Sequence, residues 1–317
     1  MASEQIPTLK DIQSAAARLQ GVASKTPLVE SPSLTKMLGV EVFLKLECFQ
    51  PIRVFKIRGA YNKISQIASK KVVAASSGNH GLAVSYSSHL LGKGATVVIP
   101  ENAVKEKADA IEEYGAKVVR SGKYHFERES KALQLSRESG ATFVHPFNDP
   151  DIIAGQGTCG LEIVEQLKEF DSVLVPVGGG GLIAGISIAV KSMKPAARMY
   201  GIEPSGAVKM QASLDAGKPV TLETPKSIAD GLIPSTVGEL TLRAAQNYVD
   251  EMLSVEDEQI LAAMKLLIRD AHIFPEPSGA APLAALLEGR NIAKMGKRVV
   301  LVISGGNVST SLLRTIL

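Results

Sequence analysis

Four consecutive glycines, Gly178-Gly179-Gly180-Gly181, stand between a Val-rich run and an apolar helical pattern. Residues without side chains let backbone N–H groups converge on an anion, and the positive end of the following helix adds to the attraction. A phosphate is the natural guest. A tight strand-to-helix turn is the plainer reading, but such a turn rarely needs four glycines. No Gly-Lys-Ser/Thr follows, which excludes a Walker loop. Gly179, Gly181 and Ala184 do match G-x-G-x-x-A, and Glu203 ends the next strand-like run, where an acid would hold a ribose hydroxyl. Taken alone, the loop leaves a nicotinamide or flavin oxidoreductase open.

Three further groups could do chemistry. Ser76-Ser77-Gly78-Asn79-His80-Gly81 sets two hydroxyls, an amide and an imidazole on backbone able to donate to a second anion, such as a substrate carboxylate. The alternative is a helix cap made by Ser77 or Asn79, with His80 merely packed. Ser304-Gly305-Gly306-Asn307 offers one hydroxyl beside glycines that admit a planar ring, although a turn into a helix beginning near Ser309 would also explain it. Lys56 opens a helical segment within Val54-Phe55-Lys56-Ile57-Arg58-Gly59-Ala60. Apolar neighbours lower a lysine pKa by desolvation, which makes the amine a nucleophile and a base. A Lys-x-Arg pair is otherwise ordinary on a solvated helix.

Positioning such groups requires rigid elements. Strand-like runs lie at 40–46, 71–75, 95–99, 116–120, 172–177, 199–203 and 298–303, continuous rather than alternating, as in sheets covered on both faces. Helical patterns at 79–91, 105–114, 126–139 and 257–271 fall between them. The alternation predicts an α/β fold of two open, twisted, mostly parallel sheets covered by helices. We expect residues 1–68 and 149–317 to form a larger domain, 69–148 a smaller one, and a ligand cleft to lie between them. Loops 76–81, 145–150, 178–181 and 304–307 all follow strand-like runs, and in open sheets ligands bind beyond the carboxyl ends of strands.

The bulk properties narrow the partners. The chain of 317 residues is 45% hydrophobic with a net charge of +3, enough apolar material for a sizeable core. Lys and Arg are scattered among acids, aromatics make up 4% and Trp is absent, so no nucleic-acid partner is expected. No basic leader precedes an apolar stretch and no run has the length of a membrane span, which fits a cytoplasmic protein. Cys48 and Cys159 are far apart without CxxC spacing, so neither a disulfide framework nor a metal site is expected.

In order along the chain, Phe55–Ala60, Ser76–Gly81, Gly178–Gly181 and Ser304–Asn307 resemble the threonine/serine dehydratase and serine racemase group. That group belongs to the tryptophan-synthase-β-like, fold type II enzymes, which use pyridoxal 5'-phosphate (PLP). Asn148-Asp149-Pro150, Ala154-Gly155-Gln156-Gly157-Thr158, Gly201-Ile202-Glu203-Pro204, Ala229-Asp230-Gly231 and Glu276-Pro277-Ser278-Gly279 extend the resemblance over nearly the whole chain.

The resemblance implies that Lys56 carries the cofactor as a Schiff base, with Phe55 packed beside the ring. Gly178, Gly179, Gly180, Gly181 and Leu182 would hold the phosphate, Asn79 the phenolic oxygen and Ser304 the pyridine nitrogen. Ser76, Ser77 and His80, helped by Arg128, would cradle the substrate carboxylate. Lys56, once freed, would take the Cα proton. A Ser at the pyridine nitrogen makes a milder electron sink than an Asp, which favours expulsion of a β-hydroxyl over transamination.

The implied reaction is elimination of water, then ammonia, from L-threonine or L-serine to a 2-oxo acid. Ser77, facing Lys56 across the cofactor, would also suit serine or aspartate racemisation, or elimination from 3-hydroxyaspartate. A non-catalytic amino-acid-binding protein is the remaining class. The resemblance also implies a homodimer. It fails in places: relatives carry Thr-Gly and then Ser before the Phe-Lys pair, where this chain has Pro51-Ile52-Arg53-Val54. Racemase-like relatives place an acid that helps hold a divalent cation where Lys209 stands here. An ammonium there would replace the ion, so no divalent-metal dependence is expected. The biosynthetic dehydratases continue into a regulatory domain without counterpart here, and control by isoleucine is not expected.

Overall fold

A computed structural model describes residues 5–76, 78–103, 105–122, 125–289 and 292–316. The strands are β1 (Leu28–Glu30), β2 (Glu41–Leu46), β3 (Lys71–Ala75), β4 (Gly94–Ile99), β5 (Lys117–Arg120), β6 (Thr142–Phe143), β7 (Ser172–Pro176), β8 (Arg198–Pro204), β9 (Glu251–Val255) and β10 (Arg298–Ile303). They form a six-stranded sheet in the order β1-β2-β10-β7-β8-β9 and a four-stranded sheet in the order β5-β4-β3-β6. Every named strand pair is parallel except β1 with β2. The expected α/β architecture of two mostly parallel, helix-covered sheets is therefore present.

The continuous apolar runs work as both-face strands. Along β10, Val299, Leu301 and Ile303 enter the core on one side of the sheet, while Val300 and Val302 enter the core on the other. The two-residue period of a strand makes this division automatic. Three strands escaped the sequence reading. β1 and β6 have three and two residues, and β9 is a partly exposed edge carrying Glu251 and Ser254. Short or half-solvated edges lack the apolar signal of a central strand.

Close helix packing explains the run of small residues at Ala154–Thr158. The helix Pro150–Gln166 lies between the helix Lys56–Ser65 and the helix Gly181–Met193. A Cβ at Gly155 would come within 2.5 Å of Arg58 O, and one at Gly185 within 2.4 Å of Gly157 N. These glycines let the backbones touch, so the helix bearing Lys56 and the helix opened by the tetraglycine are held against one spacer.

Arg58 departs from the solvated reading of the Lys-x-Arg pair. It is fully buried. Its Nε and Nη2 donate to Glu47 Oε2 and Oε1 at 2.7 and 2.8 Å, and Nη1 donates to Glu162 Oε1 at 2.6 Å. Lys45 Nζ, also buried, donates to Glu162 Oε2 at 2.6 Å. Two cations thus meet two carboxylates, with the planar guanidinium matched to Glu47 by a two-bond fork. Removing one member would leave an uncompensated buried charge, which costs about 3–5 kcal/mol.

Candidate active site

Lys56 and Ser304 come together through backbone. The segment before Lys56 bridges the segment after β10 at Val54 and Gly305. Phe55 N donates to Ser304 O at 3.1 Å, and Gly306 N to Arg53 O at 2.9 Å. Glu276 N adds a bond to Gly305 O at 2.9 Å. Ser304, buried at the carboxyl end of β10, is in this way fixed beside the start of the lysine helix.

Solvent reaches part of Lys56, but the atoms packed around its amine desolvate it and lower its pKa to about 8, with the Glu276 charge opposing. The amine lies 5.2 Å from the centroid of the Phe55 ring. It donates to Pro146 O at 2.8 Å. An amine lowered toward neutrality is a workable nucleophile and base.

The tetraglycine follows β7 and opens the helix Gly181–Met193, which no side chain caps. Gly180 has φ of 93°, where only glycine is unstrained. A Cβ on Gly179 would lie 2.1 Å from a Phe147 ring carbon. One on Gly178 would lie 2.6 Å from Gly231 O. The cradle leaves its N–H groups bare and no room for side chains. Leu182 packs its side chain in the core, so only its backbone is available to a ligand.

Asn79 begins the helix Asn79–Leu90, whose N-cap residue is Gly78, so the side-chain cap read for Asn79 is not used. Asn79 Nδ2 instead donates to both oxygens of Glu276 at 2.9 Å, and Asn79 Oδ1 accepts from Asn307 Nδ2 at 2.9 Å. Burial raises the Glu276 carboxyl to about 7, against the lowering effect of the Asn79 bond. His80 Nε2 pairs with Val144 O at 2.9 Å. Facing a carbonyl, Nε2 must carry the proton. Burial, and then the Lys56 charge, push the ring down to about 3, so His80 is a neutral imidazole whose single ring N–H is spent on Val144 O. Ser76 Oγ accepts from Gly78 N at 3.2 Å. Ser77 lies outside the described residues. Arg128 sits half-buried near the start of the helix His125–Ser139, and desolvation lowers its pKa.

Several residues here carried no assigned role in the sequence. Pro146 acts through a carbonyl, which has no side-chain signature. Phe147 closes the tetraglycine from one side. Glu276 and Ser278 belong to a motif already noted, but only contact geometry shows what they face. Ser278 Oγ is buried without a hydrogen-bond partner among the described residues, and it would lie 2.7 Å from a Cβ on Gly231. The helix Pro277–Leu287 that carries it packs its Gly279 against Ser304 and Gly305.

Glu203 is not available as a ribose-holding acid. It is buried; its Oε1 accepts from Lys209 Nζ at 3.0 Å and from Met210 N at 2.9 Å, and its Oε2 from Gln211 N at 3.1 Å. Lys209 Nζ also donates to Val177 O, Ala207 O and Leu232 O at 3.2, 3.0 and 2.9 Å. Burial lowers its pKa and the Glu203 carboxylate opposes this. Without a free acid at this strand end, the dinucleotide reading loses its second element.

The arrangement fits an enzyme that carries an aldehyde cofactor on a lysine and grips its phosphate in a glycine cradle. The family described as pyridoxal-phosphate dependent enzyme matches residues 19–305, and the chain belongs to it. The chain is similar to the L-threonine ammonia-lyase of Thermotoga maritima, at 41% identity over 98% of this chain and 78% of that one. It is similar to the L-threo-3-hydroxyaspartate ammonia-lyase of Saccharomyces cerevisiae, at 38% identity over 96% and 94% of the two chains. The solved structure of maize serine racemase superposes with a TM-score of 0.94 at 38% identity, covering 98% of this chain and 96% of that one. The cofactor is PLP. The bare cradle, the lowered Lys56 amine and the unpartnered Ser278 hydroxyl all fit such a group.

Proposed function

We propose that this chain is a PLP-dependent ammonia-lyase that converts L-threonine or L-serine to a 2-oxo acid and ammonia. The observation that carries the reading is the Lys56 amine, lowered to about 8 and set by Pro146 O among the same loops as the tetraglycine. When bound, PLP supplies the electron sink that acidifies the substrate Cα–H. Lys56 then takes that proton as general base. The N–H groups of Gly178, Gly179, Gly180, Gly181 and Leu182 hold the phosphate at the uncapped helix end. Asn79, its amide oriented by Glu276 and Asn307, hydrogen-bonds the phenolic oxygen. Ser304 offers the pyridine nitrogen a hydroxyl rather than a carboxylate, which keeps the ring a mild sink. Ser76, Ser77 and His80, the last through its first-turn backbone N–H, bind the substrate carboxylate with Arg128, and Phe55 and Phe147 shield the reacting face from water.

We assign residues 1–68 and 149–317 to a cofactor-holding domain and 69–148 to a smaller domain that brings the carboxylate loop to it. The working form is a cytoplasmic homodimer. No helix among the described residues is long and apolar enough to cross a membrane. The comparable identity to relatives named for 3-hydroxyaspartate elimination and serine racemisation supports a second reading, racemisation or hydroxyaspartate elimination on the same scaffold.

The test supplies PLP to the purified protein and follows 2-oxo acid release across a panel of amino acids, with loss of optical rotation measured in parallel. Threonine or serine should yield oxo acid, and Lys56→Ala should lose both the yellow colour and turnover. A colourless wild type, or full turnover by the alanine variant, defeats the reading; racemisation without elimination favours the second.

A further inference from the structure

We infer that His145 is a positioning residue for Lys56, acting through the carbonyl of Pro146. This inference rests on the assignment of Lys56 as the cofactor-carrying lysine. His145 Nδ1 accepts from two successive backbone amides, Phe147 N at 3.2 Å and Asn148 N at 2.8 Å. The Phe147 N–H and the Pro146 C=O belong to one planar, trans peptide unit, so they point in opposite directions. Capturing the N–H with the imidazole therefore aims the carbonyl the other way, at the Lys56 amine 2.8 Å distant. Proline contributes no N–H of its own and has a fixed φ, which leaves this peptide few other orientations.

The ring is held for this task. It meets Phe143 and Phe147 edge-on, with centroids 6.0 and 4.7 Å apart. Its Nε2 faces the Glu129 carboxylate at 3.9 Å, which favours the tautomer with Nδ1 bare and able to accept. The same short segment also serves its neighbours: Val144 O receives His80 Nε2, and the Phe147 ring closes on Gly179. A side-chain acceptor two and three residues back from two amides is the geometry that Asn and Asp use in Asx turns, so an asparagine can substitute for this ring nitrogen.

Two variants separate the acceptor from the ring. His145→Phe keeps an aromatic edge between Phe143 and Phe147 but cannot accept. His145→Asn loses the ring but restores an acceptor. The first readout is the rate at which PLP-free protein forms a borohydride-reducible link at Lys56, which needs no substrate; the second is the split of kcat against KM for oxo-acid release. His145→Phe should slow linkage and lower kcat on the order of tenfold, with KM within about twofold. His145→Asn should stay within about threefold of the wild type in both. Wild-type behaviour of the phenylalanine variant overturns the inference, as does a loss in the asparagine variant equal to or greater than that in the phenylalanine variant. A wild type that forms no link defeats the assignment of Lys56 instead, so the two failures are distinguishable.

Discussion

Replacing Glu276 with glutamine should make the cofactor-free protein more stable at neutral pH and leave it almost unchanged in acid. The carboxyl sits at about 7 in the folded chain against its usual 4.5, chiefly because it is buried. Between these values the unfolded chain has released the proton while the folded chain still holds it. Stability therefore falls as pH rises through that window. At about 1.36 kcal/mol per pKa unit, a difference of 7 minus 4.5 corresponds to about 3 kcal/mol once the window has been crossed. Glutamine keeps an acceptor for Asn79 Nδ2 and removes the titration. Asn79, Asn307, Asp230, Lys107, Lys56 and Cys48, which surround or influence the carboxyl, are common to both chains, so their effects largely cancel in the difference. The assay is urea unfolding of both proteins, without PLP, from about pH 4.5 to about pH 8. The variant should gain about 3 kcal/mol on the wild type across that range. A difference that stays flat, or grows in the wild type's favour, refutes a buried carboxyl titrating near neutrality.

Three further outcomes follow from the geometry. Lys209→Met strands the buried Glu203 carboxylate and should cost about 3–5 kcal/mol in urea unfolding. In the wild type the same ammonium already fills its oxygen cage, so EDTA should leave turnover unchanged; loss of activity with restoration by magnesium would overturn that reading. Gly179→Ala forces a methyl into the Phe147 ring and should weaken PLP binding by about 1–3 kcal/mol, read by absorbance titration. Unchanged affinity would show that the cradle tolerates a side chain.

What the sequence exposed, and what it hid, divides along physical lines. β3 and β10 match the residues read as strands because burial on both faces leaves an unbroken Val- and Ile-rich run. β6 and β9 carry no such run, since one is two residues long and the other lies at a half-solvated edge. The tetraglycine was legible because only close backbone approach explains four glycines. The burial of Arg58 was not legible: local spacing cannot reveal Glu47 and Glu162, which fold back to bury it. Glu203 held the right place for a ribose, but its partner Lys209 comes from the next helix. Glu276 meets Asn79 across 197 residues, a pairing with no local trace. The Pro146 carbonyl lies beyond any reading based on side-chain type.

The strand order also bears on how the protein is made. Among the described strands β10 is the last to leave the ribosome, yet it lies inside the larger sheet, between β2 and β7. The four strands of the smaller sheet are consecutive and can assemble while translation continues. The larger sheet has to wait: β2 and β7 stay unzipped, with their apolar edges open to chaperones or to aggregation, until the segment ending in Ser304 arrives. Nascent chains stalled before that point should be unable to retain the vitamin, which makes cofactor capture a late checkpoint of biogenesis.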